Sequence, residues 1–484
     1  VQQLLTESVP LGLAAGALGT VLALIVQRAL VAATPLTRLG LDSVGFQPEI
    51  LGFALLLSLG TVLVFGLAPA LMGSRVDLAE ELKAGSRSVA GGRARFRSVL
   101  VVGQVALSVV LLVGAALLVQ SFARLRSVDP GFRTDNLLTA EIGLPSGEYE
   151  VEQRTPFFTE LLDRTRALPG VEAAGMISQL PMRDPGNNVP AWNPENPPAD
   201  ASQVRAAYQR NVLPGYFDAM DIPILAGRDV AETDGQGAVQ VVLISETMAE
   251  TLYPEQQALG RELLVDEGDE AGRYEIIGVV GDVAIYSLGA GPQMTMYFSH
   301  GQRRSSVMRL AVHTVGGAGA IVGQLRETLR GMDPNIPLAG VRTMDEVLDG
   351  STSFRRTVAG AVGIFALAAL LLAALGLYGV LAYQVTQRTH EIGIRVALGA
   401  RAEHILRMVL GHGFTLVGIG LALGVVGGVV GARAIRGRLY EVGATDPVTF
   451  VSVVLFFSLV ALLACLLPSW KAWRVDPAVA FRVE

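Results

Sequence analysis

The sequence predicts a membrane protein with six transmembrane helices and one extracytoplasmic α+β domain. The chain has 484 residues, of which 51% are hydrophobic and 17% charged, whereas about a quarter of the residues of an average soluble domain are charged. Its apolar residues form blocks long enough to cross a bilayer, which takes roughly 20 residues. Its acidic residues concentrate in segment 122–356, with 20 Lys+Arg against 32 Asp+Glu. This acidic segment lacks the basic stripe that nucleic-acid binding requires.

Six apolar segments are predicted to span the membrane. One of them, SVLVVGQVALSVVLLVGAALLVQSF at 98–122, contains no charged residue. The last four spans contain no Asp or Glu, residues that usually mark ion or substrate paths inside a membrane. The absence of these residues favours a helix bundle that transmits movement, rather than a bundle that forms a channel. The predicted spans are residues 10–33, 49–72, 98–121, 357–384, 408–433 and 448–468.

The distribution of Lys and Arg predicts the orientation in the membrane. Basic residues favour cytoplasmic connections, and 13 of them occur in linker 73–97, segment 385–407 and tail 469–484. These three regions share one face if the six spans alternate, so both termini are expected in the cytoplasm and 122–356 outside. Three arginines at the end of the fifth span and just past it oppose this assignment: Arg433, Arg436 and Arg438.

Two repeated stretches indicate a duplicated unit. LAPALMGSRVDLAEELKAG (67–85) resembles LLPSWKAWRVDPAVAFRVE (466–484), since in both a Pro precedes Arg-Val-Asp with five residues between. Upstream, AGALGTVLAL (15–24) resembles GLALGVVGGV (420–429). We therefore expect residues 1–72 to be the last two helices of a first unit, followed by the basic cytoplasmic linker and a complete second unit. On this interpretation the chain is the C-terminal part of a longer protein.

The outer segment is predicted to contain two β-α-β pieces around a β-rich insertion. The first piece covers 135–180, and its helix at 152–170 places one set of side chains on a single face: Phe158, Leu161, Leu162, Thr165 and Leu168. The second piece covers 308–342, and its helix has apolar residues at helical spacing: Ile321, Leu325 and Leu329. Strand-like runs such as VQVVLIS place the insertion at about 215–305.

No catalytic or metal-binding pattern emerges from the sequence. Asp282 ends a strand-like run, and a turn-forming role is more frequent there than a catalytic one. The acidic run DEGDEAG (266–272) lacks the ligand spacing of a calcium loop and predicts a hairpin turn. The Gly-rich run 418–432 lies in a span, where close helix packing explains it better than nucleotide binding, and Cys465 is predicted to pack inside a helix. The histidines have no zinc-site spacing: His300, His313, His390, His404 and His412.

Several stretches together resemble the permease subunits of MacB/FtsX-type ABC transporters, in particular the tandem-duplicated permeases of the acidobacterial type. They are QRTHEIGIRVALGARAEHIL (387–406), VVGQVALSVVLLVGAALLVQSFARLRSVDPGFRTDNLLTAEIGLP (101–145), LPGYFDAMDIPILAGRD (213–229), YEIIGVVGDV (274–283) and RVDPAVAFR (474–482). The resemblance covers nearly the whole chain. It implies that the outer domain is of the MacB periplasmic-core type, with a porter-like β-α-β sandwich and a β-rich insertion.

The resemblance also implies a cytoplasmic coupling helix within 385–407 that contacts a partner ATPase. Glu391 and Arg395 are four residues apart, so they can pair on one helix face while apolar residues lie beside them. A solvated loop that keeps basic residues for topology is the alternative. The expected ATPase-contact residues are Arg388, Glu391, Ile392, Gly393, Arg395, Leu398 and Gly399.

The function implied is that of a non-catalytic permease subunit in the bacterial inner membrane. A separate cytoplasmic ATPase would bind ATP and Mg²⁺, and this chain would need no cofactor of its own. Movement of the outer domain would drive efflux or extraction of a substrate from the outer face, with a periplasmic adaptor or substrate protein as a further partner. Two alternatives remain: an FtsX-like regulator of a periplasmic hydrolase or sensor, and a membrane-bound hydrolase using Asp282.

Overall fold

The protein is represented by a computed structural model that divides into two compact units. It describes residues 87–387 and 402–473, apart from 146, 185, 201–203, 255, 267, 269 and 270, together with scattered residues between 10 and 28 and between 52 and 60. The first unit, here the membrane unit, comprises Val1–Arg124 and Ser353–Glu484. The second unit, Leu125–Thr352, is here called the outer domain.

Within the described residues, the outer domain contains eleven strands and short helices, and long helices form the membrane unit. The helices used below are α1 (Arg87–Arg126), α2 (Val151–Arg166), α3 (Tyr216–Met220), α4 (Glu246–Leu252), α5 (Val322–Met332), α6 (Met344–Gln387), α7 (Ala402–Ala434) and α8 (Pro447–Trp473). The strands are β1 (Leu137–Gly143), β2 (Val171–Ile177), β3 (Asn188–Trp192), β4 (Arg205–Val212), β5 (Ile224–Gly227), β6 (Val241–Ser245), β7 (Glu262–Asp266), β8 (Ala271–Val280), β9 (Thr295–Ser299), β10 (Val307–Thr314) and β11 (Ala339–Thr343).

Four helices in the described part of the chain are long and apolar enough to cross a membrane. They contain Phe96–Arg126, Met344–Gln387, Gly413–Ala434 and Pro447–Leu466. These four correspond to the last four predicted spans. The first two, 10–33 and 49–72, lie largely outside the described residues, so the prediction of six spans stays a prediction.

Helices α7 and α1 pack through a row of glycines on α7 and valines on α1. A methyl group at Gly420 would lie 2.5 Å from Val105 Cγ1, and one at Gly424 would lie 2.6 Å from Val109 Cβ. Both valines are fully buried. Helices in lipid gain little from the hydrophobic effect, so close contact of this kind drives their association. This agrees with the interpretation of the Gly-rich run as a packing surface.

We predict that replacing Gly424 with Leu separates α7 from α1. The added side chain would overfill the contact with Val109, and overpacking of a tight interior typically costs about 1–3 kcal/mol. Thermal unfolding of the purified protein in detergent should therefore shift to lower temperature. Gly418→Leu is the matched control, because nothing lies within 4 Å of a methyl group at that position on the same helix. Equal unfolding temperatures for the two variants would contradict the packing role.

A four-stranded antiparallel sheet with two helices forms one lobe of the outer domain. Its strand order is β11-β1-β10-β2, and α2 and α5 pack on one face. The predicted helix faces are confirmed, since Phe158, Leu161, Leu162 and Thr165 are buried on α2 and Ile321, Leu325 and Leu329 are buried in the second piece; only Leu168 is partly buried. Short α3 crosses β2 at Gly175, where a methyl group would lie 2.3 Å from Tyr216 Cα.

A closed six-stranded barrel forms the other lobe of the outer domain. The strands follow the order β4-β3-β7-β8-β6-β9, and parallel pairing of β9 with β4 closes the ring. Apolar side chains such as Ile244, Leu263, Ile276 and Phe298 fill the interior. The barrel begins at Asn188, earlier than the insertion predicted at 215–305. The reason is that β3 and β4 pair with barrel strands, whereas β4 shares a single residue pair with β2.

Candidate functional site

The predicted coupling helix lies outside the described residues. All seven expected ATPase-contact residues fall there: Arg388, Glu391, Ile392, Gly393, Arg395, Leu398 and Gly399. Their role stays a prediction from the sequence. The described residues instead show how the outer domain is held together and where the chain passes from it into the long helices.

A buried arginine connects the barrel to the loop that leads out of the four-stranded sheet. Arg210 on β4 has 1% of its surface exposed. Its guanidinium donates to Gln179 Oε1 at 3.1 Å and to the backbone oxygen of Gln209 at 3.0 Å, and it lies 3.4 Å from the oxygen of Asp184. Burial lowers the pKa of Arg210 from its ordinary value. The chain thus keeps a costly buried cation where residues 178–187 cross from one lobe to the other.

Ion pairs hold residues 178–187, here called the crossover loop, against the sheet. Glu141 on β1 accepts from Arg183 at 2.9 Å and lies 3.3 Å from Arg309 on β10. Arg309 also pairs with Asp184 at 3.1 Å and donates to the backbone oxygen of Ser178. The four charged side chains are 14–30% exposed, so screening by water is reduced. The loop is therefore bound on one side by the sheet and on the other by Arg210.

No motif in the sequence singles out Arg210. The one pattern that points to its burial is its spacing of two residues from Tyr208 and from Val212, which places the three side chains on the same face of a strand. An arginine at such a position is more often solvent-exposed, and here residues of the crossover loop (178–187) cover it.

We predict that Arg210→Ala destabilises the outer domain by at least about 3 kcal/mol, because it removes several charged hydrogen bonds worth roughly 1.5–3 kcal/mol each. Chemical unfolding followed by the fluorescence of Trp192 on β3 measures the change. Arg205→Ala is the matched control, since Arg205 lies on the same strand and is exposed. A loss no larger than that of the control would show that the buried guanidinium does not hold the lobes.

Asp282 has a structural role. Its carboxylate accepts from the Thr247 backbone nitrogen at 3.1 Å and from the Thr247 hydroxyl at 2.6 Å. Thr247 lies in the first turn of α4, where unpaired backbone N–H groups favour a carboxylate. This arrangement agrees with the structural interpretation and gives no support to a catalytic one.

His300 is buried between the sheet lobe and the barrel and is not part of a metal site. Its Nδ1 lies 3.0 Å from the Thr155 hydroxyl, and its Nε2 lies 3.1 Å from the Ser305 backbone nitrogen. Burial lowers the pKa of His300 to about 4, so the ring is neutral at pH 7 and accepts the Ser305 N–H. Among the residues that the structure describes, no group of three His, Cys, Asp or Glu side chains could hold a metal ion.

We predict that His300 makes the outer domain acid-sensitive. Its pKa is about 6.5 in the unfolded chain and about 4 when folded, so its stabilising contribution is complete above pH 6.5 and falls as the pH drops to 4. The full loss is on the order of 3 kcal/mol. Unfolding midpoints at pH 7 and pH 5 should therefore differ less for His300→Gln than for the parent. The exposed His404→Gln should retain the parent's pH dependence, and an unchanged dependence in His300→Gln would contradict the prediction.

A surface cleft lies between α2 and the barrel. Its volume is ≈ 450 Å³, and its lining combines apolar Pro156, Leu213 and Ala231 with the carboxylates of Glu160 and Glu232. Glu160 also pairs with Arg164 at 2.5 Å. The Thr155 hydroxyl also lines the cleft and lies 3.0 Å from Nδ1 of the buried His300.

The outer sheet passes directly into α6. Strand β11 ends at Thr343 and the helix begins at Met344. Glu346 Oε2 accepts from the Thr343 N–H and the Thr343 hydroxyl accepts from the Glu346 N–H, both at 3.2 Å, which is the reciprocal pattern of a capping box. β11 pairs with β1, the first strand after α1. The sheet is thus joined to both long helices along the chain. Strand β11 runs directly into α6, and a short segment links α1 to β1.

Two family models match consecutive parts of the chain. Residues 98–328 match the MacB-like periplasmic core domain, and residues 363–477 match the FtsX-like permease C-terminal region. The periplasmic region of MacB from Actinobacillus actinomycetemcomitans is a solved structure that covers 46% of this chain and 95% of its own length, at 12% identity and a TM-score of 0.31.

Curated proteins with similar sequences are transporter components. The macrolide export ATP-binding/permease protein MacB of Azoarcus sp. is 25% identical over 425 residues, which are 85% of this chain and 60% of that protein. MacB of Wolinella succinogenes is 28% identical over 54% of this chain and 41% of its own length. The uncharacterized ABC transporter permease YknZ of Bacillus subtilis is 28% identical over 56% of this chain and 68% of its own. The chain thus spans about half the length of these MacB relatives.

Proposed function

Because this chain is a permease of the MacB/FtsX type, we propose that it converts ATP hydrolysis by a separate cytoplasmic ATPase into movement of its outer domain. The movement would drive efflux or extraction of a substrate from the outer face of the bacterial inner membrane. This chain would supply no catalytic residue, and ATP and Mg²⁺ would bind to the partner.

The observation that carries this proposal is that both boundaries between the two units fall inside helices. The boundary at Arg124–Leu125 lies within α1, and the boundary at Thr352–Ser353 lies within α6. A helix has its backbone hydrogen bonds satisfied internally and bends little without Pro or a similar defect. Each boundary is therefore crossed by continuous helical backbone, and the second runs through Gly350, Ser351 and Ser353, small residues at which a helix can bend.

The interior of the outer domain supports the same proposal. Arg210 and the ion pairs of Glu141, Arg183, Asp184 and Arg309 bind the crossover loop to both lobes. A force that enters through the sheet can therefore reach the barrel without being lost in a flexible hinge. No observation in the described residues favours a hydrolase, since the Asp282 carboxylate is occupied by Thr247.

The input to this pathway is proposed from the sequence. Glu391 and Arg395 can pair on one face of a helix, and Ile392 and Leu398 can enter a groove of the ATPase while Gly393 and Gly399 permit close approach. Arg388 would add a basic contact at the start of the helix. A periplasmic adaptor or substrate protein would receive the movement at the other end.

We predict that a flexible insertion at the α6 boundary uncouples the outer domain from ATP hydrolysis. The assay uses the chain purified with its ATPase in lipid nanodiscs, with spin labels at Val239→Cys and Leu459→Cys, which are both exposed. The only native cysteine, Cys465, is replaced by Ala. ATP should change the distance distribution between the labels in the parent. Gly-Gly-Ser-Gly inserted after Thr352 should abolish this change while hydrolysis continues.

The same insertion between Gly316 and Gly317, in an exposed turn of the outer domain, is the matched control and should leave the change intact. Glu391→Ala combined with Arg395→Ala should remove both the stimulation of hydrolysis and the distance change. If ATP alters no distance in the parent, the chain does not transmit movement and the proposal is wrong.

A further inference from the structure

A loop of the membrane unit is attached to the last turn of α1 before the outer domain begins. The loop, residues 435–446, connects α7 to α8 and is here called the outer loop. Its Tyr440 N–H donates to the buried Ser121 hydroxyl at 2.8 Å, and its Glu441 backbone oxygen accepts from the Arg124 guanidinium. The Thr449 hydroxyl, just past the loop, lies 3.0 Å from Gln120 Oε1.

Helical geometry places these three partners on one side of α1. Gln120 and Arg124 are four residues apart and Ser121 lies next to Gln120, so all three face the same side of the helix. The next residue after Arg124 is Leu125, the first of the outer domain. The outer loop therefore holds α1 at the point where the helix leaves the membrane unit.

The outer loop is itself a rigid connection. Leu439 and Val442 pack in the same apolar cluster as Leu117 of α1. Asp446 accepts from the Thr449 N–H at 3.0 Å and so caps the start of α8. The loop is thus fixed both to α1 and to the helix that follows it.

Glu441 adopts a backbone conformation that side chains usually avoid. Its φ is 50°, in the left-handed region. Such conformations cost energy and persist where the surroundings impose them. At this position the conformation accompanies the presentation of the Glu441 carbonyl to Arg124.

We propose that the outer loop and the Gln120–Arg124 turn form a joint that passes displacement of the α7–α8 pair to α1, and thereby to the outer domain. This inference rests on the proposed function. The glycine row holds α7 to α1 in the middle of the bundle, and the joint holds them at its outer end. Two points of attachment make α1 follow both translation and tilt of its neighbours, whereas one point would let it pivot. Ser121 and Arg124 are accordingly positioning residues.

The joint is tested with the labelled, ATPase-bound protein described above. Ser121→Ala leaves the Tyr440 N–H without its acceptor, and Arg124→Ala removes the donor to Glu441. Each variant should insert normally and hydrolyse ATP within about twofold of the parent rate. The ATP-dependent change in distance between the labels should be lost or at least halved. A purely structural role would alter thermal stability and would leave that change intact.

Two variants serve as matched controls. Arg433→Ala removes an exposed arginine from the end of α7, next to the outer loop, and Glu441→Gly retains the carbonyl while relieving the left-handed strain. Both should keep the distance change. If Ser121→Ala fails to insert, Arg124→Ala, which truncates an exposed side chain, decides the question in the same way.

The outcomes separate the joint from the general function. A parent that responds to ATP, with joint variants that respond equally, would overturn the joint and leave the proposed function standing. A parent that shows no ATP-dependent change would overturn the proposed function, and the joint with it.

Discussion

The close packing of α7 against α1 is the contact on which the rest of the structure depends. Gly420 and Gly424 have no side chain, so the backbone of α7 lies closer to Val105 and Val109 of α1 than a larger residue would permit. In lipid this contact cannot be replaced by hydrophobic burial, because the alternative surroundings are equally apolar. Since α1 continues to Arg126, whatever fixes α1 in the bundle also fixes the helix that leads into the outer domain.

In the outer domain, a different set of interactions holds the two lobes together. The sheet lobe and the barrel each have an apolar core, but a single residue pair joins β2 to β4. Backbone hydrogen bonds from Ser178 to Asn211 and from Leu213 to Met176 extend this junction, and charged side chains reinforce it. Arg210 is buried among carbonyl oxygens, and Arg309 links Glu141 and Asp184. Breaking such a buried network is costly, so it provides stiffness where there is little surface to bury.

The absence of a catalytic centre in the described residues fits this architecture. Asp282 caps α4, and His300 is a neutral hydrogen-bond acceptor inside the domain. Both residues have polar environments that resemble active-site features, yet each is explained by the backbone groups it satisfies. Within the described residues, both side chains therefore contribute to the structure of the outer domain.

The sequence by itself determined the features that depend on local periodicity and composition. These include four apolar helices, the buried faces of two outer-domain helices, and the glycine row of α7, because helical spacing alone places those residues together. Only the tertiary structure decided which strands close the barrel, why Arg210 is buried, and which residues of α1 meet the outer loop. Ser121 and Tyr440 are 319 residues apart in the chain, and no local pattern encodes a hydrogen bond across such a separation. Contacts of that kind arise only when the helices and sheets have packed.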